Sequence, residues 1–65
     1  MRDPERIPKI LEQFGTEWKK VPDWRLSQFF INFLRWLNSD PFYVEDDTFI
    51  KLIQKFMEET LNENN

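Results

Sequence analysis

Leu26-Ser27-Gln28-Phe29-Phe30-Ile31-Asn32-Phe33-Leu34-Arg35-Trp36-Leu37 is the stretch whose pattern decides the fold. On a helical wheel, Leu26, Phe29, Phe30, Phe33, Leu34, Trp36 and Leu37 fill a continuous arc of roughly 160°, wider than the apolar stripe of an ordinary surface helix. A helix patterned this way must touch more than one neighbour. The sequence therefore predicts it as the central, most buried helix of an all-α domain. It is too short to span a bilayer, and Asn32 and Arg35 interrupt it.

Working back towards the N-terminus, Val21-Pro22-Asp23 ends a preceding helix, because a residue before proline avoids the α region, and Asp23 is placed to cap the next helix through its carboxylate. Ile7, Ile10, Leu11, Phe14, Trp18 and Val21 recur at helical spacing behind Asp3-Pro4, which reads as an N-cap followed by proline at the first helical position. Pro8 either kinks this helix or marks its true start. Gly15, at the margin of the apolar stripe, is expected to let another helix approach closely.

Towards the C-terminus, Asn38-Ser39-Asp40-Pro41 breaks the helix, and Phe42-Tyr43-Val44 reads as an apolar plug packed beneath the bundle. Glu45-Asp46-Asp47 then opens a third helix, where negative charge suits the exposed N–H groups. Its apolar side is Phe49, Ile50, Leu52, Ile53, Phe56, Met57 and Leu61, and residues 62–65 are expected to fray. Short connections imply antiparallel neighbours, hence one domain over residues 1–65, an up-down-up three-helix bundle.

The 65 residues leave room for one small core, and three Trp, one Tyr and seven Phe concentrate it in few bulky side chains. Without Cys there is neither a disulfide framework nor a thiolate metal site, and the first residues lack the apolar run of a signal peptide. These features predict a cytoplasmic protein. Net charge is -3: through Arg35 there are seven Lys/Arg against five Asp/Glu, and from Trp36 onward two against seven, so nothing drives the chain as a whole towards phosphate backbones. With no His, no Cys and no glycine-rich phosphate loop, catalysis is not expected, and neither is a cofactor.

Four groups of residues are candidates for function. Trp24, Gln28, Ile31 and Arg35 recur at helical spacing on the polar side of the central helix and mix apolar with hydrogen-bonding groups, a composition that suits a protein interface. The plainer alternative has Trp24 folding back on the helix start and Ile31 packing on a neighbour's edge. Ile50, Met57 and Leu61 form an outer edge of the third helix, expected to remain uncovered and available for self-association. Lys19, Lys20 and Arg25 cluster at the first turn, where they either hold an anionic partner or simply favour a helix C-terminus. Glu45, Asp46 and Asp47 suit helix capping better than cation binding, since the alternating ligands and glycine turn of a calcium loop are missing.

Met1-Arg2-Asp3-Pro4 with Arg6-Ile7, Trp18, Pro22-Asp23, Arg25-Leu26 with Gln28, and Asp40-Pro41-Phe42-Tyr43 with Glu45-Asp46 together resemble a family of short bacterial and phage-encoded proteins of unknown function. The resemblance covers nearly the whole chain. Trp18, Pro22-Asp23, Leu26 and Gln28-Phe29 are more distantly similar to a segment of the longer, uncharacterised YihD-like proteins. What this implies is a helical cytosolic protein with no activity to carry over. The expected function is therefore a small binding or regulatory protein acting through contact with a protein partner or a second copy of itself. The alternative is a nucleic-acid-associated accessory protein using the basic cluster. An Arg25 contact with a carboxylate of the Asp40–Asp46 loop is expected to fix that loop's path.

Overall fold

The computed structural model describes residues 2–63, which form three helices, α1 (Arg6–Trp18), α2 (Leu26–Leu37) and α3 (Asp46–Glu63). The central stretch is helical over the span its pattern predicts. Asn38 stops it in the left-handed conformation, φ 54°, with its N–H bonded to the Leu34 carbonyl at 3.0 Å. Asn tolerates that conformation because its short polar side chain bonds locally.

Pro8 does not start α1, which begins two residues earlier at Arg6. It lies in the first turn, where backbone N–H groups have no helical partner, so its missing donor costs little. Asp3 prepares this start: its Oδ1 accepts from the Glu5 N–H at 2.9 Å and its carbonyl from the Arg6 N–H at 3.2 Å. Asp23 does not cap α2, which begins three residues later. Gln28 takes that part, its Oε1 accepting from the Arg25 N–H at 2.7 Å. α3 continues through Asn62 to Glu63, past the point of expected fraying; Asn64 and Asn65 lie outside the described residues.

α1 and α3 run in the same direction. Arg6 at the start of α1 pairs with Asp46 at the start of α3, and one turn later Ile10 and Phe14 share a groove with Phe49, Ile50 and Ile53. α2 returns across them, as expected of an up-down-up arrangement. Its contacts converge on the middle of α3, where the rings of Phe29, Phe33 and Trp36 all lie within 6 Å of Phe56, centroid to centroid. Beyond them, the Trp36 Nε1–H donates to Glu59 Oε1 at 3.2 Å.

The helix that both others pack on is α3 rather than α2. It supplies Ile50, Ile53, Phe56 and Met57 to the buried apolar set, and α2 supplies Phe29 and Phe33. α3 is the longest helix, with 18 residues, so its apolar side has room for α1 and α2 together. Every aromatic ring except Phe42 and Tyr43 joins one connected network through this core. α1 and α2 meet mainly through Phe14, which stacks on Phe30 at 5.2 Å and meets Phe29 edge-on at 5.0 Å. Gly15 makes no close approach: a Cβ there would meet nothing within 4 Å, because α1 and α2 diverge instead of pressing together.

Candidate functional site

Where α1 and α2 diverge, the bundle keeps an open apolar groove of about 140 Å³. Ile10, Leu11 and Phe14 form one wall, Phe30 the other, and Phe49, Ile50 and Ile53 the floor. Two of the floor residues, Ile50 and Ile53, belong to the buried core. The apolar surface extends past the groove along both helices. Ile7, one turn before Leu11, and Leu26 and Leu34, one turn either side of Phe30, are all exposed. Apolar patches of this kind on a small domain mark contact sites more often than scattered single residues do.

The outer edge of α3 is not part of this surface. Ile50 and Met57 are buried within the chain and Leu61 is half-buried, so the edge expected to serve self-association is largely consumed by the fold. The reason is geometric: α1 lies alongside α3 and covers the side that α2 leaves open. Leu11 was legible only as a core position, yet it is 62% exposed. Its place on the α2-facing side of α1, at the spot where the helices part, could not be read from spacing.

Trp24, Gln28, Ile31 and Arg35 are brought together. With Asp23, Ser27 and Asn32 they line a shallow groove of about 480 Å³ on the outer face of α2. Their roles divide. The Trp24 ring folds back onto the core, 5.8 Å from Phe29 and 6.2 Å from Phe56, and its carbonyl accepts from the Trp18 Nε1–H at 2.8 Å. Gln28 is engaged at the helix start. Ile31 is about half exposed and Arg35 is exposed, so these two are left to carry whatever contact this face makes.

The basic cluster does not act as one patch. Lys20 Nζ pairs with Glu17 Oε1 at 2.9 Å, while Lys19 lines a separate small groove with Gly15, Trp18 and Pro22. Glu17 itself is buried. Its position follows Ile10 and Phe14 at helical spacing on the α3-facing side of α1, a signal that periodicity contains and charge obscures. Lys20 supplies the counter-charge that a buried carboxylate needs.

Arg25 makes no ion pair among the described residues. The start of α3 is held instead from the start of α1 and the residues before it, by Arg2 Nη2 to Glu45 Oε1 at 3.0 Å and Arg6 Nε to Asp46 Oδ2 at 2.7 Å. Parallel α1 and α3 bring these starts together, whereas Arg25 begins α2 at the opposite end. Glu45 and Asp46 thus add cross-helix pairing to favourable charge at a helix N-terminus.

The intervening loop also departs from expectation. Phe42 and Tyr43 do not pack beneath the bundle; they project from a turn and are 77% and 92% exposed. The turn is well defined. The Phe42 N–H donates to Asp40 Oδ1 at 3.0 Å and the Val44 N–H to the Pro41 carbonyl at 2.9 Å. The two rings meet edge-on at 4.9 Å.

No protein-family model, no curated protein and no solved structure matches this chain. Among the described residues, no helix is long and apolar enough to cross a membrane, and no group of three His, Cys, Asp or Glu side chains is arranged to hold a metal ion.

Proposed function

We propose that this chain is a small, non-catalytic binding protein of the cytoplasm that acts through protein–protein contact at the apolar groove between α1 and α2. The observation that supports this is the exposure of Ile7, Leu11, Leu26 and Leu34 around a groove whose lining is wholly apolar and whose floor is the buried core. Exposed leucines on such a framework cost solubility in isolation and become favourable when a partner removes them from water. Ile31 and Arg35 lie on the neighbouring outer face of α2, in a separate shallow groove of mixed polar and apolar lining.

Leu11→Asp tests this reading, because the side chain is exposed and its replacement leaves the core intact. The variant is expected to keep the helical spectrum and melting temperature of the parent while losing the proteins that the parent captures from an extract of its own source cells. Identical capture by parent and variant would remove the groove from consideration. The alternative, an accessory protein on nucleic acid, has less behind it, since Glu17 neutralises Lys20. It requires binding to DNA or RNA that weakens steeply with added salt.

A further inference from the structure

We propose that the occupant of the α1/α2 groove is the Phe42–Tyr43 turn of a second copy of this chain, in a two-fold pair where each chain's turn enters the other's groove. This deepens the contact function above and rests on it. Size is the first argument. An apolar cavity of about 150 Å³ accepts one benzene molecule, and the groove, at about 140 Å³ and without polar lining, offers room for one phenyl ring. Phe42 is the exposed ring that fits it chemically, with Tyr43 against the rim and its hydroxyl left in water.

Preorganisation is the second. Side-chain and backbone bonds already hold the turn, and the two rings brace each other, so little ordering remains to oppose docking. The turn does not fill its own chain's groove, as the exposure of both rings shows.

Placement is the third. Glu45 and Asp46, directly after the turn, are bonded to Arg2 and Arg6, and Arg6 directly precedes the first exposed residue of the groove face, Ile7. Turn and groove therefore share one end of the bundle, and a single two-fold axis there brings both reciprocal contacts into one closed interface.

Area is the fourth. Taking about 200 Å² for a fully exposed aromatic side chain and somewhat less for Leu or Ile, the exposed parts of Phe42, Tyr43, Ile7, Leu11 and Leu34 total on the order of 600 Å² per chain, within the lower part of the range for specific interfaces. A standard stable interface takes about 800 Å² from each partner. An anionic membrane is a poorer match for the turn, which carries Asp40, Glu45 and Asp47 beside its aromatic rings.

The test is light scattering across a dilution series up to about 1 mM. The samples are the parent chain, the double variant Phe42→Ala/Tyr43→Ala, Leu11→Asp, and an equimolar mixture of the two variants. Circular dichroism verifies that each is folded. The parent is expected to dimerise, and each variant alone to dissociate with a Kd at least tenfold higher. The mixture should recover association, because the Leu11→Asp chain still offers its turn to the double variant's intact groove. A parent that stays monomeric, a dimer that neither variant weakens, or a mixture no more associated than its components would overturn the pairing. The contact function has a separate outcome: it survives a monomeric parent if capture from extract still depends on Leu11, and fails if it does not.

Discussion

Two sets of aromatic side chains, alike in composition, have opposite fates in this molecule. Phe29, Phe33 and Phe56 are buried where α2 crosses α3, in a network that reaches Phe14 on one side and Trp36 on the other. Phe42 and Tyr43 pair with no ring but each other's and face solvent. The difference lies in the backbone that carries them. A helix repeats its apolar side chains on one face, so each turn reinforces the next, whereas a β-turn points its central residues outward and has no face to bury. Aromatic content therefore reports the capacity for a core and not its location.

The comparison can be broken most directly at Phe29. Phe29→Ala is expected to cost about 3–5 kcal/mol through lost burial and the cavity left behind. The whole stability expected of a 65-residue domain is only about 3–10 kcal/mol. Chemical denaturation followed by circular dichroism should find that variant largely unfolded or close to it; a loss under about 1 kcal/mol would mean that the network is loosely packed.

Smaller changes sharpen the contrast. Gly15→Ala stiffens the helix that carries Phe14 and Trp18 without meeting any neighbour, and is expected to add about 0.5–1 kcal/mol, seen as a melting temperature several degrees higher. A lower melting temperature would show that α2 approaches α1 more closely than the open space at Gly15 implies. Arg6→Ala cuts the tie between the starts of α1 and α3, a partly exposed pair expected to contribute at most about 1 kcal/mol, and thermal melts should fall slightly. The same melts should not move for Arg25→Ala; a clear drop there would restore the loop contact that the structure lacks.

The smallest effect on folding is expected at the exposed pair. Phe42→Ala/Tyr43→Ala should change monomer stability by less than about 0.5 kcal/mol, measured at concentrations too low for association. A loss comparable to that of Phe29→Ala would place these rings in the core after all and erase the distinction.

Much of the fold was legible, and less of the candidate site. The Leu26–Leu37 helix, its Asn38 stop and the acidic opening of α3 follow from periodicity and end chemistry, which act within one turn of chain. At the site, the Trp24–Arg35 row does line one groove, yet Trp24 and Gln28 are committed to the helix start and only Ile31 and Arg35 stay available. Leu11 and the Phe42–Tyr43 turn were misplaced, and Glu17 was not singled out, for a common reason. Whether a residue is covered depends on a neighbour whose position the local pattern does not contain.

By itself the sequence determined that the chain makes three helices, where each begins and ends to within a few residues, and which side of each is apolar. Those properties depend on local propensity, capping and phase, and all are written in consecutive residues. Only the tertiary structure decided that α3 is the common neighbour, that Met57 is inside while Leu11 is outside, and that Glu17 is buried beside Lys20. It also left α1 and α2 parted over an apolar groove. Periodicity sets the direction in which a side chain points along its own helix, but burial is shared between helices and is settled by how they cross.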